Sequence, residues 1–478
     1  MKKFLGSANP YLPLWEHIPD GEPRVFWYKG EKRVFIYGSH DTNRDSYCGQ
    51  DYVTWSAPVN DLTNWTYHGV IYESKDGDAL YAPDVVEKDG VYYLYSADDC
   101  NAHIHVSKSD SPAGPFVDTR PTDLGFDPGV LVDDDGRTYV AYGFFKNFVC
   151  ELEPDMATVK EGSVKADVLP RPKRAWGFPV EQDDKNDPVN GFYEAASFRK
   201  IMGKYVIVYS KISNTPSPEL GIHGDSNAYL SYMFSDSPTS GYRFGGDIIV
   251  NRGEVITDRE GKKQTTFTDG NNHGGLAQIN GKWYMFYHRQ TGENDCSRQA
   301  MLEPVDVALG KDGKLYIGDI TYVDGEPVSS KPVEMTSQGP YINGIDARLI
   351  ISAGFACHIY GGSERAYPMR IDGETPNASA PVIHITNGTS VGFRYLQFGA
   401  KSPDSVTVKL NALTSCDISV RIGHYRGKEI AYIHADRGSA VISAPLTAPV
   451  IGKQAVYFIF NGESGKDIAE FDYFTFDD

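Results

Sequence analysis

The sequence lacks long apolar runs and has few cysteines. No stretch of about 18 consecutive apolar residues occurs, so the sequence predicts no membrane-spanning helix and no membrane partner. An amino-terminal Lys pair is present, but no apolar segment of the kind found in signal peptides follows it. The 6 cysteines are scattered and form no CxxC pair. Free thiols and a cytoplasmic location are therefore expected.

Positive charge is also scarce. The chain has 46 Lys and Arg against 64 Asp and Glu, which gives a formal net charge of −18. An acidic protein is repelled by nucleic acid and by anionic membranes, so we expect neither as a partner. A neutral ligand such as an oligosaccharide is compatible with this charge.

Helical periodicity is rare, and residues typical of strands and turns are abundant. The chain contains 48 Gly, 28 Pro and 31 Tyr, and 13% of its residues are aromatic. Many short strands separated by turns indicate an all-β fold. A chain of 478 residues is too long to fold around one compact hydrophobic core, so two domains are expected.

Five segments in residues 1–335 share one pattern, in which an apolar strand, a turn containing Gly and an aromatic strand follow one another. Asp89-Gly90, Asp135-Gly136 and Asn280-Gly281 are strong signals for two-residue hairpin turns. The intervals between the segments have room for four strands each. Repeated four-stranded sheets predict a five-bladed β-propeller. The repeats are "GEPRVFWYKGEKRVFIYGSHD" from Gly21, "APDVVEKDGVYYLYSADD" from Ala82, "FDPGVLVDDDGRTYVAYGF" from Phe126, "YEAASFRKIMGKYVIVYSKI" from Tyr193 and "NHGGLAQINGKWYMFYHRQ" from Asn272.

Ionisable residues recur where the inner strand of each predicted blade begins. At a single position, an acid there is adequately explained as a turn former. A cluster in register is different, because like charges around one axis repel and must be desolvated. Such clusters are typical of functional sites. The residues are Asp20, Glu22, Asp84, Asp127, Glu194 and His273.

A cavity with several carboxyl groups suggests glycoside hydrolysis. This reaction needs a protonated acid for the leaving oxygen and an ionised carboxylate as base or nucleophile. A third carboxylate nearby can keep the acid protonated by charge repulsion.

The repeats also resemble glycoside hydrolase family 43, whose members are five-bladed propeller enzymes acting on xylan and arabinan side chains. The resemblance covers residues 9 to about 335 and is carried by "YGSHD", "YAPDVVEKDGVYYLYSA", "FDPGVLVDDDGRTYVAYG", "FYEAASFRK" and "NNHGGLAQINGKWYMFYHR". It implies hydrolysis with inversion by three acids. Glu194 matches the general acid, and Asp127 matches the Asp that tunes its pKa. The base is an Asp opening the first blade, where "PDGEP" offers Asp20 or Glu22; we favour Asp20 because its side chain is shorter.

The same resemblance suggests further site residues. His273 matches a His on the propeller axis that often lies beside a hydrated calcium ion, and Arg289 matches an Arg that reaches the bound sugar. Asp84 is interpreted as a residue that binds the sugar or supports the residues that do, or, equally well, as part of a turn at the start of a blade. Aromatic residues near the strand starts are candidate walls for a pentose ring, although aromatic residues are more often part of a core. These are Trp27, Tyr81, Phe126, Trp176 and Tyr193.

The repeat ends near residue 335, and a run rich in Pro, Gly and Ser follows it like a linker. Residues 343–478 alternate in short strands, which predicts an antiparallel β-sandwich of the jelly-roll type. The closing "EFDYFTF" resembles a family 6 carbohydrate-binding module. The alternative is a domain that only supports the propeller or a subunit interface.

Three functions compete at this point. The first is a glycosidase that releases xylose, arabinofuranose or both from xylo- or arabino-oligosaccharides. The second is a carbohydrate-binding propeller without catalysis, and the third is a structural propeller that binds proteins. The set of Asp20, Asp127 and Glu194 favours the first. The oligomeric state has no signature in the sequence.

Overall fold

The computed structural model describes residues 2–98, 103–175, 177–220, 222, 224–257, 261, 263–267, 270–362, 365–371, 373 and 379–478. The prediction of an all-β protein is confirmed. Apart from strands, the regular elements in these residues are two short 3₁₀ turns, Pro218–Leu220 and Ala353–Phe355. Within the same residues, no helix has the length and apolar character needed to cross a membrane.

The first part of the chain forms three four-stranded antiparallel sheets in sequence order. Their strands are β1 (Glu22–Tyr28), β2 (Glu31–Tyr37), β3 (Asp51–Pro58) and β4 (Thr66–Glu73); β5 (Leu80–Lys88), β6 (Val91–Asp98), β7 (Ile104–Ser109) and β8 (Val117–Pro121); and β9 (Gly129–Val132), β10 (Thr138–Phe144), β11 (Lys146–Leu152) and β12 (Lys165–Ala166).

A fourth sheet of four strands and a fifth sheet of five strands follow, and a short strand pair precedes each of them. The first pair is β13 (Arg174–Ala175) with β14 (Phe178–Pro179), and the second is β19 (Val255–Thr257) with β20 (Lys263–Thr265). The fourth sheet contains β15 (Gly191–Ile201), β16 (Lys204–Ser213), β17 (Ser226–Ser235) and β18 (Arg243–Val250). The fifth contains β21 (Gly274–Ile279), β22 (Lys282–Gln290), β23 (Arg298–Leu309), β24 (Leu315–Val323) and β25 (Glu326–Lys331).

Turn chemistry explains the hairpins between the first two strands of several sheets. Asp89 and Gly90 have φ of 53° and 81°, and Asn280 and Gly281 have φ of 50° and 77°. Both pairs join directly paired strands, as expected for type I′ turns. The two-residue turn predicted at Asp135-Gly136 is wrong. Val132 pairs with Thr138, so the loop is longer and is closed by the Asp133 amide donating to the Arg137 carbonyl at 2.8 Å.

The first strands of the five sheets contact one another in a closed ring. β1 contacts β5, β5 contacts β9, β9 contacts β15, β15 contacts β21, and β21 contacts β1 again. This ring brings together the residues at which these strands begin, although they lie far apart in the sequence.

The remaining strands form two six-stranded sheets. The strands are β26 (Ile345–Asp346), β27 (Ile351–Ser352), β28 (His358–Tyr360), β29 (Tyr367–Pro368), β30 (Val382–Ile385), β31 (Ser390–Gln397), β32 (Ser405–Ala412), β33 (Cys416–Ile422), β34 (Lys428–Ala435), β35 (Gly438–Pro445), β36 (Lys453–Gly462) and β37 (Ala469–Asp477). Strands β26, β28, β31, β33, β34 and β36 make one sheet, and the other six make the second. Buried residues of both sheets, including Phe458 and Phe474, share one hydrophobic core.

The two ends of the predicted first domain differ from the expectation. Leu5 and Ala8 pack in the core of the two six-stranded sheets, and the Leu5 amide donates to the Ile350 carbonyl at 2.9 Å. The predicted linker is not a free connection either. Thr336 is buried, and its amide donates to the carboxyl of Glu303 at 2.6 Å.

Candidate active site

A cavity of about 500 Å³ lies where the first strands of the ring begin. Each of the five first strands, or the residues just before it, contributes to its wall. The lining residues are Asp20, Tyr47, Cys48, Tyr81, Ala82, Phe126, Asp127, Phe144, Tyr193, Glu194, Asn227, Gly270, Asn271, His273, Asp295 and Arg298.

Unusual backbone conformations present the three acids to this cavity. Asp20 and Asp127 precede β1 and β9 with φ of 59° and 51°, in the left-handed region that Asp tolerates better than most residues. Glu194 lies within β15, where the pairing with β16 shifts register on both sides of it. Ala195 has φ of 68°, and its amide donates to Asp127 Oδ2 at 3.0 Å. The two register shifts mark a β-bulge at Glu194, and the hydrogen bond from the Ala195 amide holds this bulge against Asp127.

Asp20 is surrounded by hydrogen-bond donors and positive charge. Arg298 Nη1 lies 3.2 Å from each of its carboxylate oxygens, and the Ser39 hydroxyl donates to Oδ2 at 2.6 Å. Burial alone would raise the pKa of Asp20. The charge of Arg298 and the hydrogen bond with His288 outweigh burial and hold this pKa well below its usual range. Asp20 is therefore ionised.

Asp127 and Glu194 have the opposite character. Burial raises the pKa of Asp127 to about 7, opposed by the charge of His273 and reinforced by that of Asp20. Burial also raises the pKa of Glu194 well above its usual range, and the charges of Asp127 and Asp20 raise it further. Burial and the two neighbouring negative charges therefore favour the protonated form of Glu194. One cavity thus holds an ionised carboxylate and a carboxylic acid, which is the pair that acid–base catalysis requires.

His273 lies between two of the acids. Its Nδ1 is 3.9 Å from Asp20 Oδ1 and 3.9 Å from Asp127 Oδ2. Its buried Nε2 has no hydrogen-bond partner among the residues that the structure describes, and the same holds for the side-chain oxygen of Asn272. The described residues contain no group of three His, Cys, Asp or Glu side chains able to hold a metal ion.

Glu22 does not line the cavity. It is 1% exposed, and it forms an ion pair with Arg199. Burial would raise the pKa of Glu22, but the charges of Arg199 and Arg24 lower it. Of the two residues in "PDGEP", the structure brings Asp20 to Asp127 and Glu194 and leaves Glu22 in a separate buried ion pair.

Asp84 does not line the cavity either. Arg24 Nε donates to its Oδ1 at 2.9 Å, and the Val130 amide donates to its Oδ2 at 2.8 Å. Asp84 therefore ties β5 to β1 and to β9. These contacts fit the interpretation of Asp84 as a supporting residue better than direct sugar binding or a simple turn.

Three of the predicted aromatic walls, Tyr81, Phe126 and Tyr193, line the cavity. The prediction for Trp27 is wrong. Trp27 is 64% exposed and lies five positions beyond Glu22 on β1, about 16 Å along the strand at about 3.3 Å per residue. Trp176 lies outside the described residues.

Arg289 does not line the cavity, whereas Arg298 does. Arg289 pairs with Gln299 and Arg298 pairs with Gln290 across β22 and β23. Consecutive residues of a strand point to opposite faces, so these two arginines lie on opposite faces of the sheet. Arg289 is fully buried against the Phe267 ring, 4.4 Å from its centroid.

Sequence reasoning missed several residues of the cavity, because they lie in loops without a repeated pattern. Arg298, Tyr47 and Asp295 follow or lie within the β2–β3 and β22–β23 connections. Asp41, in the "YGSHD" segment, accepts two hydrogen bonds from Arg298 at 2.8 and 2.9 Å. The presence of Asp41 in the "YGSHD" motif was the signal in the sequence that could have indicated the Asp41–Arg298 pair.

A buried cavity with one ionised and one protonated carboxyl group defines a glycosidase type of site. The profile of glycosyl hydrolases family 43 matches residues 36–314, more than half of the chain. A xylosidase/arabinosidase of Thermoclostridium stercorarium is 31% identical over 97% of this chain and 98% of its own length. The chain belongs to glycosyl hydrolases family 43 and is a glycosidase.

Solved structures of family 43 enzymes also match this chain, at lower sequence identity. A family 43 arabinoxylan arabinofuranohydrolase from Bacillus subtilis, in complex with cellotetraose, is 22% identical, with a TM-score of 0.47 over 100% of this chain and 98% of that chain. A family 43 β-xylosidase/α-arabinofuranosidase from a compost microbial metagenome, in complex with xylotriose and described as a calcium-free form, is 26% identical, with a TM-score of 0.46 over 63% of this chain and 95% of that chain.

Proposed function

We propose that the protein hydrolyses xylo- or arabino-oligosaccharides with inversion and releases xylose, arabinofuranose or both. One observation carries this proposal: Asp20 and Glu194 line one cavity, with the pKa of the first lowered and that of the second raised. The relative from Thermoclostridium stercorarium, which spans nearly the whole chain, is named for both activities.

In the proposed mechanism, Asp20 accepts a proton from a water molecule as the water oxygen attacks the anomeric carbon. Glu194 donates its proton to the glycosidic oxygen as the bond from that oxygen to the anomeric carbon breaks. The products are a free sugar with inverted configuration and the shortened chain. Proton exchange with solvent then restores both carboxyl groups. Asp127 keeps Glu194 protonated through its charge and holds the Ala195 amide beside it.

The experiment is hydrolysis of p-nitrophenyl β-D-xylopyranoside and α-L-arabinofuranoside by the wild type, Glu194→Gln, Asp20→Asn and Glu22→Gln. We expect a loss of about 10²–10⁴-fold in kcat for Glu194→Gln and Asp20→Asn on the better substrate, as is usual for a general acid or base. Glu22→Gln serves as the buried control outside the cavity and keeps kcat within a few-fold of the wild type if it folds.

Two results would contradict the assignment. Full activity of Glu194→Gln would remove it as the acid, and a loss in Glu22→Gln but not in Asp20→Asn would move the base. Sugar binding without any hydrolysis by the wild type would favour the non-catalytic propeller instead. Following the anomer released by NMR tests inversion.

We propose further that Tyr81, Phe126 and Tyr193 form walls against which a pentose ring packs. Each lines the cavity that contains the acids, and Tyr81 and Phe126 lie with their ring centroids 5.9 Å apart. Aromatic faces cover the apolar faces of sugars while leaving the hydroxyl groups free for polar contacts.

A calcium ion beside His273 is a further proposal. The unpartnered side-chain oxygen of Asn272 is an oxygen ligand of the kind that calcium prefers, and the unpartnered Nε2 of His273 fits a hydrogen bond to a water of a largely hydrated ion. Such an ion would supply positive charge near Asp20 and Asp127. The chain's own contribution would be to hold the ion through these two side chains.

We also propose that the five sheets, formed by residues 22–331, are the blades of the propeller predicted within residues 1–335. The closed ring of contacts among β1, β5, β9, β15 and β21 supports this arrangement. The two six-stranded sheets of residues 343–478 support the proposal of a jelly-roll sandwich. Its resemblance to a family 6 carbohydrate-binding module motivates a test of xylan binding by the whole chain in affinity electrophoresis.

A further inference from the structure

Arg370, which follows β29 in the C-terminal region, contacts the part of the chain that forms the cavity. Its guanidinium donates from Nη1 to the Asn43 carbonyl at 3.0 Å and to the Cys296 carbonyl at 3.1 Å. Its Nη2 donates to the Asp41 carbonyl. One half-buried side chain thus contacts three backbone carbonyls on two loops that are about 250 residues apart in sequence.

These two loops supply cavity residues that the repeated sheets do not. The loop between β2 and β3 carries Tyr47 and Cys48, and the loop between β22 and β23 carries Asp295 and ends at Arg298. The loops are also tied to each other, since the Asn294 side-chain amide donates to the Arg44 carbonyl at 3.0 Å. Arg370 therefore forms hydrogen bonds with both of the loops that the Asn294–Arg44 contact joins.

The contact between Arg370 and Asp41 is connected through Arg298 to Asp20, the ionised acid. The carboxylate of Asp41 accepts hydrogen bonds from Nε and Nη2 of Arg298 at 2.9 and 2.8 Å and from the Cys48 amide at 3.0 Å. Arg298 in turn donates to Asp20 at 3.2 Å. The carbonyl of Asp41 faces Arg370, so a single residue connects the C-terminal region to the Arg298–Asp20 pair.

We propose that Arg370 is a positioning residue for the active site, and that the C-terminal region completes the cavity by fixing the two loops through it. A guanidinium is suited to this task because its several donors are fixed in one plane and can serve several acceptors at once. A lysine is a single point of charge and cannot bridge both loops with the same geometry. The C-terminal region then has a role that does not require it to bind sugar.

The test compares Arg370→Ala and Arg370→Lys with two matched controls. Arg348 also donates to two carbonyls, those of Phe398 and Lys401, at 2.9 and 3.1 Å, but these lie within the C-terminal region. Arg426 donates across to the Thr257 carbonyl at 2.8 Å, away from the cavity. Arg348→Ala and Arg426→Ala therefore remove the same kind of bond without touching the loops.

We expect Arg370→Ala to lower kcat/KM about tenfold, through both a lower kcat and a higher KM, which is a loss of about 1.4 kcal/mol of transition-state stabilisation. Arg370→Lys should fall between Arg370→Ala and the wild type, and added guanidinium ion should partly restore Arg370→Ala. Both controls should retain wild-type kcat and KM.

The kinetic part rests on the proposed function, so amide hydrogen exchange provides a readout that does not. Exchange in residues 41–48 and 294–297 should be faster in Arg370→Ala and unchanged in the controls. Wild-type exchange and kinetics in both Arg370 variants would overturn the inference. So would equal losses in Arg348→Ala or Arg426→Ala, since they would show a general effect of the C-terminal region. A wild type inactive on both substrates would instead refute the proposed function, leaving the exchange result to decide on Arg370.

Discussion

The charge state of Asp20 is set by one neighbouring residue more than by any other. Burial raises the pKa of a carboxyl group, and the same burial raises the pKa of Asp127 to about 7. Asp20 differs from Asp127 in its contact with Arg298, whose Nη1 lies 3.2 Å from both carboxylate oxygens. Arg298 is thus the main reason why the pKa values of two buried aspartates in one cavity are shifted in opposite directions.

Replacing Arg298 by Met should therefore raise the pKa of Asp20. Since the base must be ionised, its pKa sets the acidic limb of the pH dependence of kcat/KM, and this limb should move to higher pH. A shift of at least one pH unit is expected, because an opposite charge at this distance lowers a carboxyl pKa by about 1–3 units. The measurement is kcat/KM from pH 3 to pH 9.

Arg298→Lys is the control, because it retains the positive charge while changing the hydrogen-bond geometry. Its acidic limb should stay close to that of the wild type, even if its activity is lower. An unchanged limb in Arg298→Met would show that Arg298 does not control the ionisation of the base.

Among the elements, β15 has an irregularity that serves the site. Glu194 lies between two shifts in the register of its pairing with β16, and Ala195 adopts φ of 68° there. A non-glycine residue in this region costs about 1–3 kcal/mol, and the strain persists where the surrounding structure fixes it. The bulge is therefore a local cost in stability that brings the acid to the cavity.

Ala195→Gly and Ala196→Gly separate strain from packing in this strand. Both residues are buried, but only Ala195 of the two has a positive φ. Each change loses a buried methyl group and adds flexibility to the unfolded chain. In Ala195→Gly, relief of strain offsets this loss, so it should destabilise the protein by at least about 1 kcal/mol less than Ala196→Gly. Denaturant unfolding measures both; equal losses would mean that Ala195 is not strained.

Repeated elements could be predicted from the sequence, and irregular ones could not. Asp89-Gly90 and Asn280-Gly281 predict their hairpins because type I′ turns demand these residues. The prediction failed at Asp135-Gly136, where a longer loop uses the same residues. The motif around Arg289 predicts a residue that reaches the sugar, but a motif does not show which face of a strand a residue occupies. The loops that carry Tyr47 and Asp295 have no period from which their positions could be inferred.

At the scale of the whole molecule, the amino-terminal segment joins the C-terminal core. Leu5 and Ala8 pack among the residues of the two six-stranded sheets, and Lys2 Nζ forms an ion pair with Asp477 at 2.6 Å. Alternation of apolar residues predicted strands in residues 343–478, but a segment this short has no pattern that indicates its partner. The contacts of this segment with the C-terminal core therefore could not be predicted from the sequence.

Leu5→Ala should destabilise the C-terminal core by about 2–5 kcal/mol, because it leaves a cavity among residues from both sheets. Lys3→Ala, on the exposed neighbouring residue, should change the free energy of unfolding by less than about 0.5 kcal/mol. Hydrogen exchange of amides in β31 and β37 should increase in Leu5→Ala only. Unchanged exchange there, with faster exchange in β1–β4, would assign Leu5 to the other part of the molecule.

The contact of the Lys2 side chain with β37 has a consequence for biosynthesis. Lys2 and Thr475, which form a hydrogen bond at 2.9 Å, are separated by 473 positions. At about 5–20 residues per second, the ribosome adds the second of these residues about 25–95 s after the first. During that interval Leu5 has no native core to enter. The repeated sheets can assemble as they emerge, whereas the segment that precedes them must wait for the strands that are translated last among those described.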